Sequence, residues 1–561
     1  MAATDRFDAI VIGSGVSGGW AAKELTEKGL RVLMLDRGVM VEHGEDYQYE
    51  NKAANEIPAR DIMPARLAES DYFISKHGHV SPSRQPFYNN DRLNPYAYDE
   101  GEKFYWIRPS AVGGKSLIWG RWCFRLSPDD FEANKREGVD GDWPIRYHDV
   151  ALWYSYVERY IGVSGSRENL SYLPDSEFQP PMPLNVAETW FKDRLERAFP
   201  GRKLINGRLS NMTEDKPDQG RTKCQSRNQC HRGCSFGAYF STQAVTLPAA
   251  RATGRLTLRS DAVVTSLDYD KAAKRVTGVR LVDTRTGRAE VVPARMVFLC
   301  ASGMASSQIL MNSRAPGTER SWFDASGTLG RYVMDHVFRV LVSGEVPGFT
   351  DLIEYGRRPG GVYIPRFRNL GGADDGVGFR RGYGYQGRAQ REPMPPQGFG
   401  AAMKHGMRRY GPWRFSMTAF GECLPHRDNR VSLHSSKVDR FGVPLLRFDV
   451  TFRDNELRMM DDAQSEGARM LATAGLSNVK TTRHEHVPGQ AIHEMGGARM
   501  GADPRRSVLN RWSQAHDAAN LFVTDGAQMV SSSCVNPSLT YMALTARAAD
   551  RAVKQMKAGA I

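Results

Sequence analysis

Short apolar runs alternate with helix-period stretches at both ends of the chain. "DAIVI" at 8–12 is a run of the kind found in a strand buried on both faces, and "GSGVSGGWAAKELTEKGL" follows it with helical spacing. A second short run, "RVLML", comes next. "MVFLCASGMASSQILMNS" at 296–313 reads as strand, turn and helix, and "NLFVTDGAQMV" as one more strand. After Pro537 the stretch "SLTYMALTARAAD" predicts a helix, since proline suits a helix start. The middle of the chain differs. "RVLVSGEVPG" and "DRFGVPLLRFDVTF" are β-rich and are assigned to one further sheet. Residues 455–476 predict a long amphipathic helix whose Leu457, Met460, Ala463 and Ala468 face that sheet.

Strand-helix alternation at the two ends, with a β-rich middle, predicts an α/β protein. A length of 561 residues exceeds one ordinary core and implies two domains or one large domain with insertions. No stretch approaches the roughly 18 uninterrupted apolar residues of a membrane helix. The start, "MAATDRFDAIVIG", has no basic n-region, apolar h-region or small-residue cleavage site, so no signal peptide is expected.

The net charge of +13 raises the question of nucleic acid. Basic and acidic residues are interspersed, however, and no nucleic-acid motif is present, so an acidic protein partner or an anionic membrane surface fits better. One region, 355–410, concentrates Arg, Gly and Pro, and reads as solvated surface loops, with a docking surface as the alternative.

Candidate chemistry begins between the first strand and the first helix, where Gly13, Gly15 and Gly18 form GxGxxG. The first allows a tight turn, the second lets backbone approach a pyrophosphate, and the third lets helix and strand pack closely. Asp36, at the end of the second strand, can accept hydrogen bonds from a ribose diol. This pattern does not separate NAD from FAD. "RPSAVGGKSLIWGR" supplies a second glycine-rich turn with Gly113, Gly114 and Ser116. Ala301 follows the 296–300 strand, and the strand in "NLFVTDGAQMV" delivers Asp525 and Gly526 to its C-terminal edge, where open α/β sheets bind ligands.

Three of the seven cysteines, Cys224, Cys230 and Cys234, fall inside "KCQSRNQCHRGC". Zinc would need a fourth ligand and a more usual spacing. A disulfide would strand one thiol. Free cysteines are the third possibility, although thiols in so polar a segment would be open to oxidation.

Taken in order, "GSGVSGG", "AVGGKS", "LCASGMASSQILMNS", "GRYVMDHV", "HEMGGARMG" and "NLFVTDGAQMVSSSCVNPSLTYMALTARAADRA" resemble the glucose-methanol-choline (GMC) oxidoreductases. That resemblance implies a doubly wound, Rossmann-like FAD domain from residues 1–60, 100–130, 220–340 and 490–561, with the cysteine loop at 223–236. A substrate domain of sheet and helices, 61–99, 131–219 and 341–489, is inserted between these segments. It implies His493 as the base for an alcohol and Asn536 as its partner, while the C–H hydride passes to flavin N5. Some sugar-oxidising members attach FAD covalently through a histidine in a GGxSxHW loop, which here runs from Gly113 to Trp119. Here Ile118 stands at that position, so FAD is expected to be non-covalent.

The bacterial sugar dehydrogenase branch has a cysteine loop at the same place, which implies a [3Fe–4S] cluster on Cys224, Cys230 and Cys234 and a dehydrogenase rather than an oxidase. It further implies a sugar or glycoside substrate, with C3 of a glycoside preferred over glucose 1-, gluconate 2- or fructose 5-oxidation. Electrons would go to a cytochrome c-type acceptor, and export to the periplasm would occur with a small subunit bearing a twin-arginine signal, the chain otherwise being cytoplasmic. An oxygen-using sugar oxidase is the alternative, and a lyase with structural FAD a third.

Overall fold

The computed structural model describes residues 7–78, 80–99, 101–354, 359–391, 394, 398–483 and 485–561. The strand β1 (Ala9–Ile12), the helix α1 (Val16–Glu27) and the strand β2 (Val32–Leu35) form the opening unit. β1 lies at the centre of a five-stranded sheet ordered Leu521–Val523, Val297–Leu299, β1, β2, Leu256–Arg259, with every pair parallel. Both faces of β1 are buried, which explains its unbroken apolar run. Ala9 and Val11 pack with Ala21, Ala22 and Leu25 of α1 and with Ala548, Ala549 and Ala552 of the C-terminal helix Ser538–Lys557. Ile10 and Ile12 enter the larger core on the other face. Because the strands are parallel, their C-terminal ends share one edge, and Gly13, Asp36, Ala301 and Asp525 follow four of them directly or within two residues.

The second large sheet has six strands, all antiparallel, in the order Ser477–Arg483, Val337–Val346, Trp413–Gly421, Tyr383–Gln390, Val362–Ile364, Ile205–Asn206. The expected long helix is present as Asp454–Thr473 and lies against this sheet. Its inward stripe is Met459, Met460, Ala463, Met470 and Leu471. Leu457, expected to face the sheet, is 37% exposed, because a helix turning 100° per residue carries that position off the stripe. Ala468 is only partly buried, at the stripe's edge.

Two other expectations are corrected here. "RVLVSGEVPG" belongs to the six-stranded sheet, but "DRFGVPLLRFDVTF" does not. Its strand Pro444–Asp449 pairs with Arg430–Val438 and Ala97–Tyr98 in a separate sheet. Nor is the basic stretch 355–410 only a set of surface loops, since Val362–Ile364 and Tyr383–Gln390 are interior strands of the six-stranded sheet. Glycines let these strands pack closely: a Cβ on Gly384 would stand 2.2 Å from Tyr363 Oη, and one on Gly387 2.9 Å from Met417 Cβ. Residues 355–358, 392, 393 and 395–397 of that stretch lie outside the described residues. Among the described residues no helix is long and apolar enough to cross a membrane.

Candidate active site

The turn after β1 separates the three glycines by role. Gly13 adopts φ +95°, and a Cβ there would stand 2.3 Å from the Cys300 carbonyl oxygen. A Cβ on Gly18 would stand 1.8 Å from the Gly13 oxygen, so this glycine allows helix and strand to touch. Gly15 is different: a Cβ there would meet nothing within 4 Å. Space is kept at Gly15 without any protein group to fill it, directly before the N-terminus of α1, where free N–H groups favour an anion.

Asp36 latches this turn. Its carboxylate accepts from the Ser14 backbone N–H at 2.9 Å, the Ser14 hydroxyl at 2.5 Å and the Gly38 N–H at 2.8 Å. Burial raises its carboxyl above the ordinary value, against these hydrogen bonds. Ser14 Oγ in turn accepts from the Gly113 N–H at 2.8 Å, tying the second glycine-rich turn to the first. Gly113 and Gly114 both have positive φ, and a Cβ on Gly114 would lie 3.0 Å from Gly15 Cα. Ser116 is fully buried and donates to the Gly113 carbonyl at 2.6 Å while accepting from the Thr242 N–H at 3.1 Å. It shapes the loop from behind.

Between these turns runs a cleft of about 1440 Å³, including its open mouth. Gly13, Gly15, Asp36, Gly114, Ala301, Asp525, Gly526 and His493 all line it, whereas Gly18, Gly113 and Ser116 lie behind its wall. Asp525 accepts from Ser306 Oγ at 2.5 Å and from the Ala527 N–H at 3.0 Å, and burial pushes its carboxyl up to about 6.

His493 lines the cleft, and most of what holds it carries no local sequence signal. Asp335 is fully buried, and its two oxygens accept from the N–H groups of Gly489 (2.7 Å), Ala491 (3.1 Å) and His493 (3.0 Å). That fixes the loop carrying the imidazole. His493 Nδ1 lies 2.8 Å from His336 Nδ1, and Asn536 Nδ2 lies 3.3 Å from His493 Nε2. Asn536 Oδ1 accepts from Gln386 Nε2 at 2.6 Å. The two residues expected to act together are therefore in contact across 43 positions, flanked by His336 on one side and Gln386 on the other. Phe420 packs at 5.8 Å from the His493 ring. Burial, then His336 and Lys115 nearby, hold the His493 imidazole well below its ordinary value, so it is neutral at pH 7.

The three clustered cysteines also converge. Cys224, Cys230 and Cys234 gather with Ala238 and Tyr239 in one small cluster, and none is in a disulfide. The loop is pinned to the 50–61 segment by Arg227–Glu50 (2.5 Å) and Arg232–Asp61 (2.9 Å). Arg121 stacks over Tyr239 at 5.2 Å, and its Nε and one terminal nitrogen are buried without a hydrogen-bond partner. Burial raises the Cys224 and Cys234 thiols above their ordinary value. As they stand, the sulfurs do not form a finished metal site: among the described residues no three His, Cys, Asp or Glu side chains are placed to hold a metal ion.

Two family models, each described as GMC oxidoreductase, match residues 7–338 and 425–545. The chain belongs to the GMC oxidoreductase family. Over 97% of its length it is 28% identical to 2-methyl-1,2-propanediol dehydrogenase of Mycolicibacterium austroafricanum, covering 95% of that protein. Over 98% it is 27% identical to the fructose dehydrogenase large subunit of Gluconobacter japonicus, covering 98%. Among solved structures, formate oxidase of Aspergillus oryzae matches with a TM-score of 0.61 and 14% identity, covering 99% of both chains, which shows the shared fold.

GMC oxidoreductases bind FAD, and the cleft of this one fits it. Buried polar atoms without partners point to a missing polar ligand. Ser17 Oγ, Trp106 Nε1, Arg108 Nε, Glu494 Oε1 and Tyr541 Oη are all such atoms, and all five residues line the cleft. With the open space at Gly15 they describe a cradle for a long, polar, anionic cofactor.

Proposed function

We propose that this GMC oxidoreductase is an FAD-dependent dehydrogenase that oxidises a secondary alcohol of a sugar or glycoside to a ketone, with C3 of a glycoside as the assigned carbon. The carrying observation is the contact between Asn536 Nδ2 and Nε2 of His493, the latter residue lining the cofactor cleft. A substrate hydroxyl that replaces this contact meets a hydrogen-bond acceptor at Nε2 and a donor at Nδ2. His493, neutral and partly buried, takes the hydroxyl proton at Nε2. Asn536 holds the same oxygen through Nδ2, and Gln386 keeps the amide turned that way by donating to Oδ1. Phe420 packs beside the ring. Bound FAD supplies the acceptor for the C–H hydride.

Cys224, Cys230 and Cys234 would hold a [3Fe–4S] cluster, supplying a one-electron outlet toward a cytochrome c-type acceptor. Three thiols in one small cluster, near an Arg121 guanidinium with two nitrogens lacking a partner, support that reading. The relative named as a large subunit supports a partner subunit, which we take to carry a twin-arginine signal and to bring the chain to the periplasm.

The test is an anaerobic screen of sugars and glycosides for flavin bleaching, with product regiochemistry read by NMR. A 3-keto glycoside is expected. Bleaching by fructose or gluconate with no reaction at C3 would move the assignment to those sugars, and a flavin that no polyol bleaches would remove it. His493→Ala should keep FAD and slow bleaching by roughly 10²–10⁴-fold.

A further inference from the structure

His336 lies 157 positions from His493 and touches it. We infer that His336 is a positioning residue that sets the tautomer of His493 and so makes Nε2 the proton acceptor. The inference rests on the reading of His493 as the base.

The argument follows the protons. His336 Nε2 lies 2.9 Å from the Ser533 carbonyl oxygen and 3.3 Å from that of Ser532. Carbonyl oxygens only accept, so Nε2 of His336 carries a hydrogen. The ring is 1% exposed, and burial lowers its pKa to about 4, so it is neutral and carries no second hydrogen. Its Nδ1 is then a lone pair. That lone pair faces His493 Nδ1 at 2.8 Å, a distance that requires one hydrogen between the two nitrogens, and only His493 can supply it. Nδ1 of His493 therefore carries the proton and Nε2 is left bare. The Asn536 contact agrees independently: with Oδ1 engaged by Gln386, the amide presents Nδ2, a donor, to Nε2.

The direction of this chain is set at its far end by the backbone. Ser533 has φ +55°, a conformation that a non-glycine residue adopts only when its surroundings enforce it. Ser532 supplies the enforcement, since its hydroxyl donates to the Cys423 carbonyl at 3.0 Å and accepts from the Cys423 N–H at 3.2 Å. Carbonyls aimed this way decide which nitrogen of His336 is protonated, and through it which nitrogen of His493 is not. Imidazole without such a neighbour prefers the opposite tautomer, with hydrogen on Nε2, which has no lone pair for a substrate proton.

The experiment uses FAD-loaded protein labelled with 15N-histidine, and long-range proton–nitrogen correlation spectra assigned by comparison with His493→Ala. Wild-type His493 should show a protonated Nδ1 and a bare Nε2. In His336→Leu the signature should move toward Nε2–H, and substrate-driven flavin reduction should slow by roughly 10²–10⁴-fold with KM little changed. His336→Asn keeps an acceptor oxygen near the Nδ1 position and should restore the wild-type signature and most of the rate. A wild-type spectrum with His493 protonated at Nε2 overturns the inference, and it does so even if the leucine variant fails to fold. A folded His336→Leu protein that reduces flavin within about twofold of wild type overturns it as well. Wild-type flavin reduction by His493→Ala would instead remove the base assignment itself, and this inference with it.

Discussion

The ammonium of Lys115 and the carboxylate of Glu494 form an ion pair across the cofactor cleft, joining the second glycine-rich turn to the residue that follows His493. The Glu494 side chain is 2% exposed and its other oxygen has no hydrogen-bond partner, so the lysine is its only close cation among the described residues. Lys115→Met should therefore destabilise the protein by about 3 kcal/mol, because it leaves a buried carboxylate unpaired. Adding Glu494→Gln should restore most of that loss. Urea titrations of wild type, both single variants and the double variant check the coupling, and additive effects would show that the pair does not interact.

Acid should act on stability before it acts on the base. Both facing imidazoles are held below the ordinary value of 6.5 in the folded protein, His336 at about 4. An unfolded chain takes up protons on them as pH falls below about 6.5, while the folded chain does not, so folding stability is lost from there downward toward pH 4. His336→Asn should flatten this slope in melting temperature against pH. Flavin reduction should stay level from pH 8 to about 6.5, since a lowered pKa keeps His493 unprotonated through that range.

The turns and strand ends were legible because their chemistry is local. Gly13, Gly15 and Gly18 announce a tight turn within six residues, and Asp525 follows a short apolar run. His493 and Asn536 were reached through resemblance, and the fold brings them together. His336 carries no local signal of its role, since nothing near it in sequence says that Ser533 will aim a carbonyl at one nitrogen. Gln386 was hidden for the same reason, in a stretch whose glycines and arginines resemble a loop. Leu457, expected on one stripe with Met460, Ala463 and Ala468, lies off it because Met459 and Met470 set the buried face.

Flavin should leave the denatured protein. Ile118 packs its side chain among apolar neighbours and offers no atom that could bond to the flavin ring. Acid precipitation is expected to put FAD in the supernatant. A yellow pellet would mean that another residue attaches it.

Cys230→Ser tests the cysteine loop as an electron outlet. The variant should lose iron and acid-labile sulfide while substrate still bleaches the flavin at nearly the wild-type rate, and cytochrome reduction should collapse. Small dyes that reach the flavin directly should still be reduced. Bound FAD is measured first, because a lost metal group also weakens folding. Wild-type protein purified anaerobically with no iron would make the loop structural.

Alanine at Gly15 and alanine at Gly18 add the same methyl group three residues apart, and they should fail differently. At Gly18 the new carbon would stand 1.8 Å from the Gly13 oxygen, a backbone atom that cannot move without separating α1 from β1. Gly18→Ala should therefore lower the melting temperature of the cofactor-free protein sharply or prevent folding. At Gly15 the methyl group meets no protein atom within 4 Å, and φ is −65°, which alanine adopts freely. Gly15→Ala should leave the cofactor-free protein as stable as wild type, while FAD affinity falls because the methyl group occupies the space that a pyrophosphate needs against the helix N-terminus. Flavin titration by fluorescence quenching and calorimetric melting of the stripped protein separate the two effects. Unchanged FAD affinity in Gly15→Ala would show that the pyrophosphate lies elsewhere, and the open space at Gly15 would then need another occupant.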